Sequence, residues 1–256
     1  MTRFKESHPA AIAPLILLPG TWCDERLFAP LVRHLGDREI RVLPVAGATS
    51  AHALARAILD AAPAQFVLIG FSLGGIVALE IAAQAPERVL GLGLIATNAR
   101  EDQLGAERRR ADLALAQDRG IAPFLLDRLW PRYVAPRALE DRALQNLILD
   151  MAETLGFGAF AEQTEIAISR ADSRPRLPQL SMPVLVLCGA EDQICSPDLH
   201  REIAEAAPNA TLHLVSDAGH FVLLEAPDQT AALIRVWLDG PCRAQLEPAR
   251  ICKELP

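Results

Sequence analysis

The chain predicts an α/β fold built on a mostly parallel, doubly wound sheet with a helical insertion, and three observations carry that prediction. Short runs rich in Val, Ile and Leu recur along the sequence, helical patterns separate most of them, and the alternation stops between Asn98 and Met182, where helical patterns follow one another without a strand. Near-continuous apolar runs are the signature of strands buried on both faces, and the helices between them supply the covering layers. At 256 residues and 51% hydrophobic content, the chain is long enough to bury a sizeable core.

Taken in order, the candidate strands are residues 14–19 (PLILLP), 40–45 (IRVLPV), 65–70 (QFVLIG), 89–96 (VLGLGLIA), 183–189 (PVLVLCG) and 210–216 (ATLHLVS). Helical patterns cover residues 50–62, where Ser50 offers a cap, and residues 73–84 and 225–238. The insertion reads as successive helices, EDQLGAERRRADLALAQ, APFLLDRLW and RALEDRALQNLILDMAETLG, with prolines at 123, 131, 136, 175 and 178 marking joints. It holds Phe124, Trp130, Tyr133, Phe157 and Phe160, 5 of the chain's 12 aromatic residues. The expected organisation is a core of residues 1–98 and 182–240, a helical cap at 99–181 and a peripheral tail at 241–256.

Composition narrows the partners. A formal net charge of -7, with no basic block longer than Arg108-Arg109-Arg110, argues against a surface that tracks nucleic-acid phosphates. The N-terminal residues lack the apolar core of a secretory signal and no segment reaches membrane-spanning length, so a cytoplasmic protein without a membrane partner is expected. The five cysteines at 23, 188, 195, 242 and 252 form no close pairs, which indicates free thiols rather than a zinc site or a disulfide framework.

The chemistry centres on Gly70-Phe71-Ser72-Leu73-Gly74, a G-x-S-x-G pattern between a predicted strand and a predicted helix. A sharp strand-to-helix turn strains the central residue and lifts its side chain clear of the sheet, while the helix start behind it favours developing negative charge. A serine hydroxyl needs a histidine base and a carboxylate to orient that base. Asp192 follows the strand PVLVLCG, with Glu191 and Asp217 as lesser candidates, and His220 follows ATLHLVS. Both sit in loops at strand C-terminal ends, where open α/β sheets build their sites. His8, His34, His52, His200 and His213 fall on the N-terminal arm, helices or a strand and suit surface or packing roles. An oxyanion hole needs two N–H donors: Leu73 offers one, and the loop LLPGTW offers Thr21 first, or else Trp22, whose ring could also line a pocket.

Together LLPGTW, GFSLGG, GAEDQICSP and DAGHFVLLEAP resemble the α/β-hydrolase family, in particular its small cap-bearing esterases and lactonases, over most of residues 12–238. The resemblance implies a triad of Ser72, Asp192 and His220. It departs at Pro19, where many relatives carry histidine before the oxyanion glycine, and it leaves no room for the family's first two strands, so the sheet is expected to start near Pro14. The implied reaction is hydrolysis of a small, partly apolar carboxylic ester or lactone through an acyl-enzyme, with no metal and no cofactor. A carbon-carbon bond hydrolase, a perhydrolase or an acyltransferase could use the same triad, and a ligand-binding receptor with an idle triad would differ by lacking turnover. Trp130 and Phe157 are expected to contact substrate from the cap.

Overall fold

The computed structural model describes residues 13–102 and 105–243. Six strands, β1 (Leu15–Leu18), β2 (Ile40–Val42), β3 (Phe66–Phe71), β4 (Val89–Ile95), β5 (Val184–Gly189) and β6 (Ala210–Val215), form one sheet in the order β2-β1-β3-β4-β5-β6. Every neighbouring pair runs parallel, so the sheet expected to be mostly parallel is wholly so among the described residues. β2 stops at Val42, short of the predicted run. Leu43 N–H still bonds Leu17 O at 3.0 Å, but Pro44 has no N–H to continue the ladder.

The helices α1 (Ala29–Val32), α2 (Ala51–Ala61) and α3 (Leu73–Gln84) connect the first four strands. Between β4 and β5 lie α4 (Ala106–Arg119), α5 (Ile121–Phe124), α6 (Trp130–Tyr133) and α7 (Arg142–Ile168), and after β5 come α8 (Pro197–Ala206), α9 (Val222–Glu225) and α10 (Pro227–Trp237). Local chemistry sets the helix starts. Ser50 Oγ accepts from Ala53 N–H at 3.1 Å before α2, and Asp141 Oδ1 accepts from Leu144 N–H at 3.0 Å before α7. That second cap explains why α7 begins after the predicted Arg137. At its other end the expected stop at Gly156 is a kink: with φ of +74° the glycine breaks the helical geometry, and the helix then runs on to Ile168.

Successive strand side chains feed opposite layers, as the pleat requires. Leu15, Leu17, Val67, Ile69, Leu185 and Leu187 belong to one buried cluster, with residues of α1 and α10. Ile16, Leu18, Phe66, Leu68, Val184 and Val186 belong to the other, with residues of α2, α3 and α8. Each such aliphatic side chain contributes about 1.5–3 kcal/mol by leaving water. α3 is buried at every position from Leu73 to Ala82, and the one charge there, Glu80, is paired with Arg176 at 2.8 Å. The first cluster also continues beyond the strand ends into the insertion, where Trp22 joins Phe124 and Phe160.

The expected tail begins with a residue that still packs: Cys242 is buried against the core. Cys23, Cys188 and Cys195 are free and buried too, and burial pushes the Cys188 thiol up to about 12. Cys252 and His8 lie outside the described residues. Among the described residues, no helix is long and apolar enough to cross a membrane.

Candidate active site

The chain winds from β1 out to β2, then returns past β1 to β3 and continues the other way, so the order of winding reverses between β1 and β3. Such a switch opens a crevice at the strand C-terminal ends. The loop carrying Gly20 and Thr21 and the turn carrying Ser72 flank it.

Ser72 stands between β3 and α3 with φ of +51° and ψ of -113°, a strained conformation for a residue with a Cβ. Its surroundings hold it there. Ser72 N–H donates to Ile95 O at 2.8 Å, and Thr97 Oγ1 donates to Ser72 O at 2.8 Å. A methyl group on Gly74 would lie 2.1 Å from Leu18 O, and one on Gly70 would lie 2.3 Å from Gly74 O, so both glycines are required for α3 to approach the sheet.

The sheet brings the three expected side chains together. Ser72 Oγ lies 3.0 Å from His220 Nε2, and His220 Nδ1 lies 2.9 Å from Asp192 Oδ2. His220 and Asp192 are each only 3% exposed, which shields their pairing from water. Asp192 Oδ1 accepts from Ile194 N–H at 2.8 Å and Cys195 N–H at 2.9 Å. Burial alone would raise its pKa, but the charge of His220 and these hydrogen bonds outweigh it and hold the carboxyl below the usual carboxylate range. The imidazole is further held between rings, 5.2 Å from Phe71 and 5.9 Å from Tyr133, the latter stacked. Glu191 and Asp217 make no bond to His220, and Asp217 is exposed.

Of the expected N–H donors, Thr21 and Leu73 both line the cavity over Ser72, and neither N–H has an acceptor among the described residues. Trp22 differs. Its backbone N–H donates to Gln163 Oε1 at 2.9 Å, and its indole N–H donates to Gly156 O at 3.0 Å, so both are taken by α7.

The cavity holds about 390 Å³. Its aromatic lining is Phe71, Phe124, Tyr133, Phe160 and Phe221, and none of Trp22, Trp130 and Phe157 is among them. Trp22 is buried instead behind Phe160, its ring stacked at 4.0 Å, and Trp130 is buried with its indole N–H on Leu139 O at 3.2 Å. Phe157 is half-buried against the core cluster and does not line the cavity.

Two polar residues beside the site, His200 fully buried and Glu225 half-buried, take roles that the sequence reading does not assign them. His200, expected to pack or face solvent, is fully buried: its Nε2 accepts from Thr97 N–H at 3.0 Å and its Nδ1 donates to Ser196 O at 3.1 Å. It thereby braces the residue whose hydroxyl holds Ser72 O. Glu225 accepts from Gly219 N–H at 3.0 Å and Ala135 N–H at 2.8 Å, tying the His220 loop to the insertion. Burial raises its pKa. A lone acid within the apolar run HFVLLEAP was the available signal.

Burial also depresses the His200 pKa, so the folded protein resists a proton that the unfolded chain accepts near pH ~6.5. Its stabilising contribution is present above that pH and is lost as pH falls toward the depressed value. His200→Gln, whose amide oxygen can take over from Nε2, is therefore expected to lose less stability between pH 7.5 and 5 than the unsubstituted protein. Denaturant titrations at both pH values measure this, and an identical pH dependence would remove His200 from the account.

Comparisons with known proteins agree with this architecture. A family model described as the alpha/beta hydrolase fold matches residues 48–227. BpoC of Mycobacterium tuberculosis, named as a non-heme bromoperoxidase, is 33% identical over 181 residues, covering 66% of this chain and 66% of that protein. The chain thus matches just under two thirds of that relative's length. An esterase from Thermogutta terrifontis superposes with a TM-score of 0.80 at 26% identity, over 92% of this chain and 91% of that one. The enol-lactonase from Burkholderia xenovorans LB400 does so with a TM-score of 0.76 at 26% identity, over 89% and 92%. A parallel sheet with a strained serine turn at its switch point, matched by the family model over more than half of its length, makes the chain a member of the α/β-hydrolase fold family.

Proposed function

We propose that the protein is a serine hydrolase that cleaves a carboxylic ester or lactone of a small, partly apolar substrate through an acyl-enzyme on Ser72. The observation that carries this reading is the continuous hydrogen-bonded line from Ser72 Oγ through His220 to Asp192 at the wall of the cavity. Asp192 fixes the tautomer with the proton on Nδ1, which leaves Nε2 free to take the serine proton. Ser72 Oγ then attacks the carbonyl carbon, and the oxyanion is met by the N–H groups of Thr21 and Leu73. His220 returns its proton to the departing alkoxide as the carbon–oxygen bond breaks. Water repeats the sequence on the acyl-enzyme and releases the acid. Residues 99–181 act as the cap that excludes bulk water from these steps.

Similarity to an esterase and to an enol-lactonase supports the substrate class. Similarity to BpoC favours one second reading, in which hydrogen peroxide intercepts the acyl-enzyme and releases a peracid, an oxidant of bromide. Treatment with a fluorophosphonate, followed by a panel of short esters and lactones with and without peroxide, tests both. Labelling of Ser72 with many turnovers is expected, peracid would select the second reading, and labelling with at most one turnover would instead indicate a receptor.

The aromatic wall sets acyl selectivity in this scheme. Phe160→Ala is expected to change relative kcat/KM among acyl chain lengths by roughly 10-fold to 200-fold, the scale for removing an apolar pocket contact. An unchanged ranking with lowered thermal stability would reduce Phe160 to packing.

A further inference from the structure

The cavity over Ser72 carries more positive charge than a neutral ester requires. Arg100, Arg108, Arg109, Arg132 and Arg170 line it against Glu101, Asp102 and Asp112, an excess of two cations (five less three) on a chain of formal net charge -7. Nearby acids cancel only part of this charge. Asp102 is shared between Arg109 and Arg170, Arg100 pairs with Glu202 at 2.9 Å, and Asp112 pairs with Arg128 at 2.7 Å, outside the lining. Arg108 and Arg132 have no carboxylate within 4.0 Å among the described residues.

Arg170 is the buried member of this wall, with a side chain only 7% exposed. Its Nε donates to Arg100 O at 2.6 Å, and its Nη1 donates to Ala167 O at 3.0 Å and Asp102 Oδ2 at 3.1 Å. Its Nη2 has no acceptor among the described residues. Among the described residues only Trp237 Nε1 is both fully buried and unpartnered, so this spare Arg170 donor is open to solvent and available to an anion in the cavity that Arg170 lines. Arg108 and Arg109 both come from α4 and line the cavity together with Arg170, which shares Asp102 with Arg109.

We propose that the substrate carries an anionic group, a carboxylate or a phosphate, which Arg108 and Arg170 hold while its ester or lactone carbonyl lies at Ser72. This deepens the ester or lactone reading and rests on it. The apolar wall of Phe124 and Phe160 receives the uncharged part of the same molecule, and planar, two-donor guanidinium groups suit either oxyanion.

The test compares 4-nitrophenyl esters of one acyl length with and without a terminal carboxylate on the full chain. A preference of about 10-fold or more for the charged ester in kcat/KM is expected, shrinking as ionic strength rises. Arg108→Gln, at an exposed position, is expected to cut that preference about 10-fold, and Arg170→Gln at least as much wherever it folds. A second readout needs no turnover: glutarate, inorganic phosphate and neutral 1,5-pentanediol are compared as protectants of Ser72 against a fluorophosphonate. Protection by glutarate identifies a carboxylate site and protection by phosphate a phosphate site, in either case weakened by Arg108→Gln. No charge preference together with no anion protection, or a preference untouched by Arg108→Gln, overturns the proposal. Anion protection without turnover of any ester would instead uphold the anion site and defeat the ester or lactone reading.

Discussion

Ser72→Ala is expected to lower turnover by about 10⁶-fold, the scale seen when a nucleophile is removed from a group of residues that acts as a unit. Alanine retains the Cβ and therefore the same strained backbone at φ of +51°, so the turn itself is not relieved or further burdened. Only the hydroxyl and its 3.0 Å bond to His220 Nε2 disappear. The Thr21 and Leu73 N–H groups proposed to meet the oxyanion remain, as does the cavity, so a small residual rate is expected rather than none. Initial rates on the best ester of the panel, with thermal unfolding as a control for folding, decide the matter. Hydrolysis within 10-fold of the unsubstituted protein would place the nucleophile elsewhere.

Asp192→Asn is expected to cost about 10⁴-fold in kcat, because it changes a proton's address rather than a shape. Asp192 accepts on both oxygens, two backbone N–H groups on Oδ1 and His220 on Oδ2. An asparagine has only one acceptor oxygen. If that oxygen keeps Ile194 and Cys195 N–H, the amide NH₂ faces His220 Nδ1 and forces the proton onto Nε2, where it can no longer accept from Ser72. If the amide flips, two buried N–H groups face an NH₂ and the loop is destabilised. Two N–H groups outweigh one, so the first orientation prevails, and it disables the imidazole as a base while Ser72 remains in place. A kcat reduced by less than 10-fold would mean that another group orients His220.

The sheet and the three hydrogen-bonded side chains were legible because their signals are local. β1, β3, β4 and β5 are apolar at nearly every position, and Ser72, Asp192 and His220 each follow directly on a recognisable strand. What the sequence did not disclose depends on partners remote along the chain. The N–H of Trp22 is consumed by Gln163, which is 141 positions away, so the choice between Thr21 and Trp22 as donor rests on a contact that no spacing predicts. Trp130 and Phe157 lie in the insertion but do not line the cavity over Ser72. Gly156 breaks α7 between its two halves, so no single helical period relates Phe157 and Phe160 to the rest of the helix. His200 and Glu225 look unremarkable in sequence because a bracing polar group is defined by its partners, here Thr97, Gly219 and Ala135.

The two bonds from Trp22 to α7 bear on how this protein could change over evolutionary time. Gln163 Nε2 also donates to Val45 O at 3.1 Å, so one buried amide joins the insertion, the loop after β1 and the segment after β2. A foreign insertion grafted between β4 and β5 would arrive without that amide and without the Gly156 carbonyl. It would leave the indole and the Trp22 peptide unpartnered beside Thr21. Such a graft would change the lining of the cavity over Ser72 and disturb the loop that carries Thr21, the proposed oxyanion donor, in the same step. An exchanged insertion keeps these bonds only where it carries a glutamine at the matching turn of the replacement helix.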